Sequence, residues 1–240
     1  MDYRNLALLI VSAAMVLLVP LMIYGHAFNS AAFNEEFYKK EFLDYGVYNN
    51  LPNYDIDNIN NEVLNYLQTG KNSNLIENNF FNEREKAHLL DVKSLIRKAL
   101  NTYYASLALF LILAASFVFL LGFDQKIIVQ KFLSILLFGS ILALAAAFLP
   151  FVISKTDFDF AFGMLHKTFF PVGTYTFNPE FEKIVALYPE SLFSDAFAKI
   201  ISKTIFPSVM IFFASLAVLF CFFREKFLKI FSVKFRRKAQ

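Results

Sequence analysis

The chain has 240 residues, of which 57% are hydrophobic and 32 are phenylalanine, and its formal net charge is +3. This apolar content is far above what the core of a soluble domain of this size needs, so the composition excludes a soluble globular protein and predicts an integral membrane protein. The single cysteine, Cys221, excludes a disulfide or a thiolate metal site within one chain, and the 7 glycines form no phosphate-binding pattern.

Four apolar segments are each close to the roughly 20 residues that cross a hydrocarbon core as a helix. They predict transmembrane helices at residues 1–25, 104–123, 132–153 and 205–223. The first segment has an apolar core that is too long for a secretory signal, so we expect it to remain as a membrane anchor. The predicted fold class is an all-α integral membrane protein with four transmembrane helices and a helical extracytoplasmic cap.

The distribution of charge predicts how these helices are oriented. Residues 1–5, 124–131 and 224–240 together hold 10 basic and 3 acidic residues. Residues 26–103 and 154–204 together hold 13 basic and 17 acidic residues. Because basic residues near the membrane mark cytoplasmic segments, we expect a multi-pass protein of the cytoplasmic membrane with both termini inside and the two long segments outside. The basic tail fits a topology anchor, with a regulatory contact to anionic lipid as the alternative.

The first outer segment contains Asn-rich stretches and one clear helix start. Asn58–Asn61 and Asn72–Asn74 predict surface loops with short helices between them. Asn82 followed by Glu85 is a capping box, and apolar residues then repeat at helical spacing. We therefore predict a helix that starts at this position and continues into the transmembrane helix at 104–123.

His88 lies on this predicted helix, at the border of its apolar stripe. Asp91 follows one turn later, within reach of the imidazole ring. We expect the Asp91 carboxylate to contact the imidazole of His88. This contact would raise the pKa of His88 and fix its tautomer.

The second outer segment contains an aromatic stripe that includes His166. Phenylalanines recur at helical spacing from Phe158 to Phe170, which predicts a helix lying at the membrane surface with its apolar face down. Phenyl rings around an imidazole desolvate it and penalise the cation, so we expect a lowered pKa for His166. A neutral imidazole of this kind suits a general base.

Other chemistries remain open at this point. His26 has no polar neighbours that indicate a site, and an ordinary hydrogen-bonded role fits it best. His26, His88, His166 and Asp91 together would make a plausible open zinc site, although the H-x-x-x-H spacing is absent. A non-catalytic membrane subunit that binds a partner through its cap is a third possibility. Nucleic-acid binding has no support beyond the basic tail.

Several stretches resemble a known family. They are Asn79–Lys93 (NFFNEREKAHLLDVK), Leu165–Phe170 (LHKTFF) with the aromatic run to Phe177, and Leu187–Phe193 (LYPESLF). Together with the order of the four helices, they resemble the bacterial lipoprotein intramolecular transacylase family, Lit. The chain departs from that pattern at Thr168, where an apolar residue is usual, and in having no tryptophan in the second outer segment.

The resemblance implies an acyltransferase that acts on diacylated lipoproteins. It would move the sn-2 acyl chain of the S-diacylglyceryl group to the α-amine of the N-terminal cysteine, giving the lyso-form. Two histidines carry the chemistry in that family, and the matching positions are His88 and His166. We expect His166 as the base toward the amine and His88 as the acid toward the leaving oxygen, with the reverse assignment left open.

The resemblance also frames the other expectations. Candidate walls of a substrate pocket are Phe169, Phe170, Tyr175 and Phe177, and Tyr175 is a candidate donor to the oxyanion. Interfacial anchoring is the alternative role for each of these aromatic residues. We expect no metal, no organic cofactor and no obligatory protein partner, with membrane lipids as the surroundings and a lipoprotein as the substrate.

Overall fold

A computed structural model describes residues 2–69, 79–171 and 174–236 of the chain. Within these ranges the protein is α-helical and has no β-strand. The helices are α1 (Tyr3–Ala32), α2 (Glu35–Asp44), α3 (Val47–Asn50), α4 (Ile56–Gln68), α5 (Glu83–Leu121), α6 (Gln125–Thr156), α7 (Phe158–Phe169), α8 (Ile184–Leu187) and α9 (Glu190–Arg236). The predicted loop at Asn72–Asn74 and residues 237–240 of the basic tail lie outside the described residues.

Four of these helices, α1, α5, α6 and α9, are long and apolar enough to cross a membrane. The prediction of an all-α protein with four membrane-spanning helices is therefore confirmed. We take the apolar runs at 6–24, 104–121, 132–152 and 205–222 as the membrane-spanning segments.

The helices extend beyond the predicted spans because polar residues continue the same helical backbone. Residues 125–131, predicted as part of a loop, form the first turns of α6. The chain reverses instead at Gly122 and Phe123, which have φ angles of 71° and 62°. Asp124 then accepts a hydrogen bond from the backbone N–H of Ile127 and starts α6.

The described residues form two compact units. The first comprises residues 2–24, 104–147 and 203–236. One cluster of buried apolar side chains in this unit comes from α1, α5 and α6, and its members are Met15, Leu18, Val19, Phe110, Phe117 and Ile135. Gly139 of α6 has no room for a side chain, since an added Cβ would lie 2.5 Å from the Cβ of Val19.

The second unit comprises residues 25–69, 79–103, 148–171 and 174–202. Its core combines aromatic and aliphatic side chains from the short helices and from the starts of α5 and α9. Fully or nearly fully buried members include Phe42, Val47, Ile56, Val63, Phe81, Leu187 and Leu192. Burial of this kind stabilises a folded unit by about 1.5–3 kcal/mol for each large apolar side chain.

The prediction that Asn58–Asn61 form a loop is wrong, since they lie within α4. The helix starts because Asp55 accepts a hydrogen bond from the N–H of Asn58. Its apolar residues share one buried face, and Asn60 on that face accepts a hydrogen bond from the Tyr188 hydroxyl at 3.0 Å. The buried face therefore outweighs the low helix propensity of asparagine.

Candidate active site

The capping box predicted at the start of α5 is confirmed. The Asn82 side chain accepts a hydrogen bond from the N–H of Glu85, and the Glu85 carboxylate accepts one from the N–H of Asn82 at 2.6 Å. Glu85 is buried, and its second oxygen accepts a hydrogen bond from the N–H of Ile184 at 2.7 Å. The helix then continues without a break to Leu121, as predicted. One carboxylate thus fixes both the start of α5 and the start of α8.

His166 lies near the end of α7, which begins where Asp157 accepts a hydrogen bond from the N–H of Phe160. The Nδ1 atom of His166 is 2.8 Å from the carbonyl oxygen of Phe162. A carbonyl only accepts, so Nδ1 carries the hydrogen and donates it. In the neutral ring the lone pair is therefore on Nε2. This contact fixes both the tautomer and the orientation of the imidazole.

The imidazole rings of His88 and His166 are stacked. Their centroids are 6.2 Å apart and their planes differ by 18°. Both residues belong to the second unit, where α5 carries one and α7 the other. At this separation one small substrate group can contact both rings.

His88 is almost completely covered by aromatic rings. Only 7% of the residue is exposed, and the centroids of Phe170 and Phe177 are 5.0 and 5.2 Å from its ring. Its Nδ1 atom is buried without a hydrogen-bond partner. Burial, followed by the charge of His166, lowers the pKa of His88 from 6.5 to about 4. His88 is therefore neutral at pH 7.

The expectation that Asp91 raises the pKa of His88 is wrong. Asp91 is half-buried one turn along α5, and it makes no ion pair or hydrogen bond with His88 in the described part of the chain. The pKa is lowered because rings from a distant part of the sequence exclude water from the imidazole. The predicted aromatic shell exists, but it covers His88 as well as His166.

Three of the four residues predicted as pocket walls contact the histidines. Phe170 lies 5.3 Å from the His166 ring as well as close to His88, and Tyr175 lies 5.4 Å from the His166 ring. Phe177 covers His88 alone. Phe169 is 57% exposed and stacks on neither imidazole.

The residues considered as zinc ligands do not assemble into a metal site. His26 is exposed on α1, and no group of three or more His, Cys, Asp or Glu side chains in the described ranges is placed to hold a metal ion. His26, His88, His166 and Asp91 therefore do not form a shared metal site in the part of the chain that the structure describes.

Sequence reasoning missed Arg84, one turn before His88. Its guanidinium lies over the Phe177 ring, 5.1 Å from the centroid, and its Nη1 is 2.8 Å from Oε1 of Glu182. Arg84 also donates a hydrogen bond to the carbonyl oxygen of Thr176. The spacing of four residues from His88 was the available signal, because it places both residues on one face of α5.

Comparison with known proteins gives one family and one fold. The family described as lipoprotein intramolecular transacylase Lit matches residues 13–193. The in meso structure of the membrane-integral lipoprotein intramolecular transacylase Lit from Bacillus cereus is 20% identical, covers 92% of this chain and 98% of its own, and gives a TM-score of 0.76.

Two variants of the same Bacillus cereus protein are also similar. A variant with a histidine-to-arginine mutation gives a TM-score of 0.73 at 17% identity, covering 99% of this chain and 97% of its own. A variant with a histidine-to-alanine mutation gives 0.70 at 21% identity, covering 92% and 96%. No curated protein sequence matches the chain. At these identities the solved structures show a shared fold.

Proposed function

The chain belongs to the lipoprotein intramolecular transacylase Lit family, and from this premise we propose that it moves the sn-2 acyl chain of an S-diacylglyceryl group to the α-amine of a lipoprotein's N-terminal cysteine. The protein is accordingly an acyltransferase, and its product is the lyso-form. The stacking of His88 on His166 is the observation that carries this proposal, since it brings two proton-transfer groups within 6.2 Å of each other.

The reaction needs no nucleophile from the enzyme. The substrate amine attacks the ester carbonyl carbon, a C–N bond forms, and the C–O bond to the sn-2 glyceryl oxygen breaks. One proton leaves the nitrogen and one reaches the departing oxygen, so the transfer is balanced without water. The protein has to accept a proton, stabilise the tetrahedral oxyanion and supply a proton.

We assign the role of base to His88 and the role of acid to His166, which reverses our expectation from the sequence. Burial keeps His88 neutral, so its ring has a lone pair to accept a proton. An α-amine with a pKa of about 7.7–8.0 is partly neutral at physiological pH and able to attack. The N–H then becomes far more acidic in the tetrahedral adduct, which allows a weak base to remove it.

His166 suits the role of acid because its Nδ1 hydrogen is held by the Phe162 carbonyl. With Nδ1 held in this way, Nε2 is left as the atom that donates to the leaving oxygen. A positive charge on His166 lowers the pKa of His88, after the larger effect of burial. The stacked pair is thus able to act as acid and base together.

The aromatic residues complete the proposed site. Phe170 and Phe177 exclude water from the imidazoles, and the Tyr175 hydroxyl is the proposed donor to the oxyanion. Phe169 is exposed, and we propose it as a contact for an acyl chain. Excluding water favours transfer to the amine over hydrolysis of the ester.

We further propose that the second unit forms the extracytoplasmic cap of a protein in the cytoplasmic membrane, with both termini inside. The charge distribution of the connecting segments supports this orientation. A membrane-embedded lipoprotein would then present its lipidated cysteine on the side where the histidines lie. The proposed chemistry requires no metal, organic cofactor or protein partner.

Replacing the two histidines tests the function. His88→Ala and His166→Ala should each abolish the lyso-form lipopeptides. These are detected by mass spectrometry in cells that depend on this protein for the lyso-form. His26→Ala is the matched control and should leave the product unchanged, since His26 is exposed and outside the pair. Folding of each variant is checked by thermal unfolding. Unchanged lyso-form in both His88 and His166 variants would contradict the proposal and favour a non-catalytic subunit.

A further inference from the structure

Most of the His88 ring is covered in this structure, and only 7% of the residue is exposed. Phe177 and Phe170 lie against its ring, and its Nδ1 atom is inaccessible. Phe170 belongs to the end of α7 and also contacts His166. Phe177 instead belongs to a non-helical stretch, residues 174–182, which we call the lid segment. The lid segment is therefore the part of the cover that is not built into a helix.

One end of the lid segment is anchored by buried contacts. Directly after it, the N–H of Ile184 donates to Glu85, and both residues are buried. Lys183 donates to the carbonyl oxygen of Phe80 at 2.9 Å and lies over the Phe80 ring. Breaking these bonds would leave buried polar groups without partners, so this end acts as a fixed point.

Arg84 makes three contacts with the rest of the lid segment. The guanidinium pairs with Glu182, donates to the Thr176 carbonyl and lies over Phe177. Glu182 also accepts a hydrogen bond from the N–H of Asn178 at 2.6 Å, which ties the segment into one piece. A single side chain therefore fastens three points of a segment whose ring covers the proposed base.

The Arg84 side chain is more exposed to water than the Glu85 and Ile184 contact of the anchored end. It is 47% exposed and its partner Glu182 is 6% exposed, so water and salt compete for the guanidinium side of the pair. A fastening of this strength allows the segment to open and close, as active-site lids do. The buried Glu85–Ile184 contact and the half-exposed contacts of Arg84 therefore hold different parts of the same stretch of chain.

We propose that Arg84 is a positioning residue that holds the lid segment closed over His88. Opening admits the lipidated cysteine, and closing restores the water-free surroundings of the imidazole pair. The kinetic part of this proposal rests on the proposed function, whereas the closure of the lid over His88 does not.

Chemical modification of the histidines tests the closure without any substrate. The purified full-length protein is treated with diethyl pyrocarbonate, and the rate of modification at each histidine is read by peptide mass spectrometry. In the protein without substitutions, His26 should react fast because it is exposed, and His88 should react slowly because it is buried. In Arg84→Gln the rate at His88 should rise by about fivefold, with no change at His26.

Two further variants make the result specific. Lys86→Gln removes a neighbouring cation that pairs with Glu83 at 3.0 Å, and it should leave the His88 rate unchanged. Glu182→Gln should raise the rate as Arg84→Gln does, and the double variant should rise no further, because both changes break one pair. If Arg84→Gln does not fold, the rate of modification at His88 is measured in Glu182→Gln and in Arg84→Lys, and these rates test the same contact.

Kinetics separate positioning from simple folding. With a synthetic diacylated lipopeptide, Arg84→Gln should lower kcat about tenfold with little change in KM, since the binding groups remain and the closed arrangement is lost. An unchanged His88 modification rate in Arg84→Gln, or an equal rise in Lys86→Gln, would overturn the proposal. If the His88 modification rates change as expected but the protein shows no transacylase activity, the result would instead count against the proposed function.

Discussion

The ring of His88 is stacked on that of His166, yet the two imidazoles have different surroundings. His88 has a buried, unpartnered Nδ1, whereas the Nδ1 of His166 donates to the Phe162 carbonyl. The same residue type is therefore held as a neutral acceptor in one place and as a fixed donor in the other. Two groups whose surroundings differ in this way are suited to acid–base chemistry.

The charge of His166 should act on the titration of His88. Because that charge is the second cause of the lowered pKa of His88, His166→Gln should raise the pKa from about 4. The value should stay below 6.5, because burial is the larger cause and remains. NMR of labelled histidine rings in detergent micelles measures it, with His26→Gln as the control. A His88 pKa that stays at its starting value or falls would contradict the proposed coupling.

Acid should destabilise the protein through His88. The folded state holds the pKa at about 4, whereas the ordinary value is 6.5, so the unfolded chain binds this proton more readily. The contribution of neutral His88 to stability is therefore fully present above about pH 6.5 and is lost as the pH falls toward 4. Thermal unfolding should show a fall in Tm over this range that is smaller in His88→Gln. An equal fall in both proteins would show that other groups are responsible.

Loss of the Glu85 carboxylate should destabilise the second unit. Glu85→Ala removes the acceptor for the N–H groups of Asn82 and Ile184, and both the start of α5 and that of α8 lose a bond. We expect a loss of about 3 kcal/mol in the free energy of unfolding. Glu83→Ala, which removes an exposed partner of Lys86, should cost less than about 1 kcal/mol. Denaturant titration compares the two variants, and equal losses would contradict the structural role of Glu85.

Removal of the Tyr175 hydroxyl tests the proposed oxyanion donor. Tyr175→Phe keeps the ring against His166, so the fold and the Tm should not change. If the hydroxyl stabilises the oxyanion, kcat should fall by about 10²-fold. Tyr54→Phe is the control, since the Tyr54 ring packs against Phe80, and it should be fully active. Full activity of Tyr175→Phe would remove this residue from the mechanism.

Local signals in the sequence predicted the helical framework well. The capping box at Asn82 and Glu85 and the continuous helix that follows depend on residues close in sequence. The loop prediction at Asn58–Asn61 is wrong because the apolar period of the same segment outweighs its asparagine content. Helix formation there is decided by a buried face that exists only once α4 packs on its neighbours.

The electrostatics of the site were beyond the reach of local reasoning. Asp91 is near His88 in sequence and was therefore expected to raise its pKa, but burial among rings from a distant stretch, followed by the charge of His166, lowers it. The pairing of Arg84 with Glu182 likewise joins residues that no spacing rule connects. Desolvation and long-range ion pairs depend on the folded arrangement, which a sequence pattern does not contain.

The central claim is an acyl transfer within one lipoprotein molecule at the His88–His166 pair. The most direct measurement mixes a diacylated lipopeptide labelled in both its sn-2 chain and its peptide with an unlabelled copy, and incubates them with the purified protein. Tandem mass spectrometry should find the labelled chain as an amide on the labelled peptide only, with a lyso glyceryl group. Labelled chain on the unlabelled peptide, or released as free fatty acid, would contradict the account.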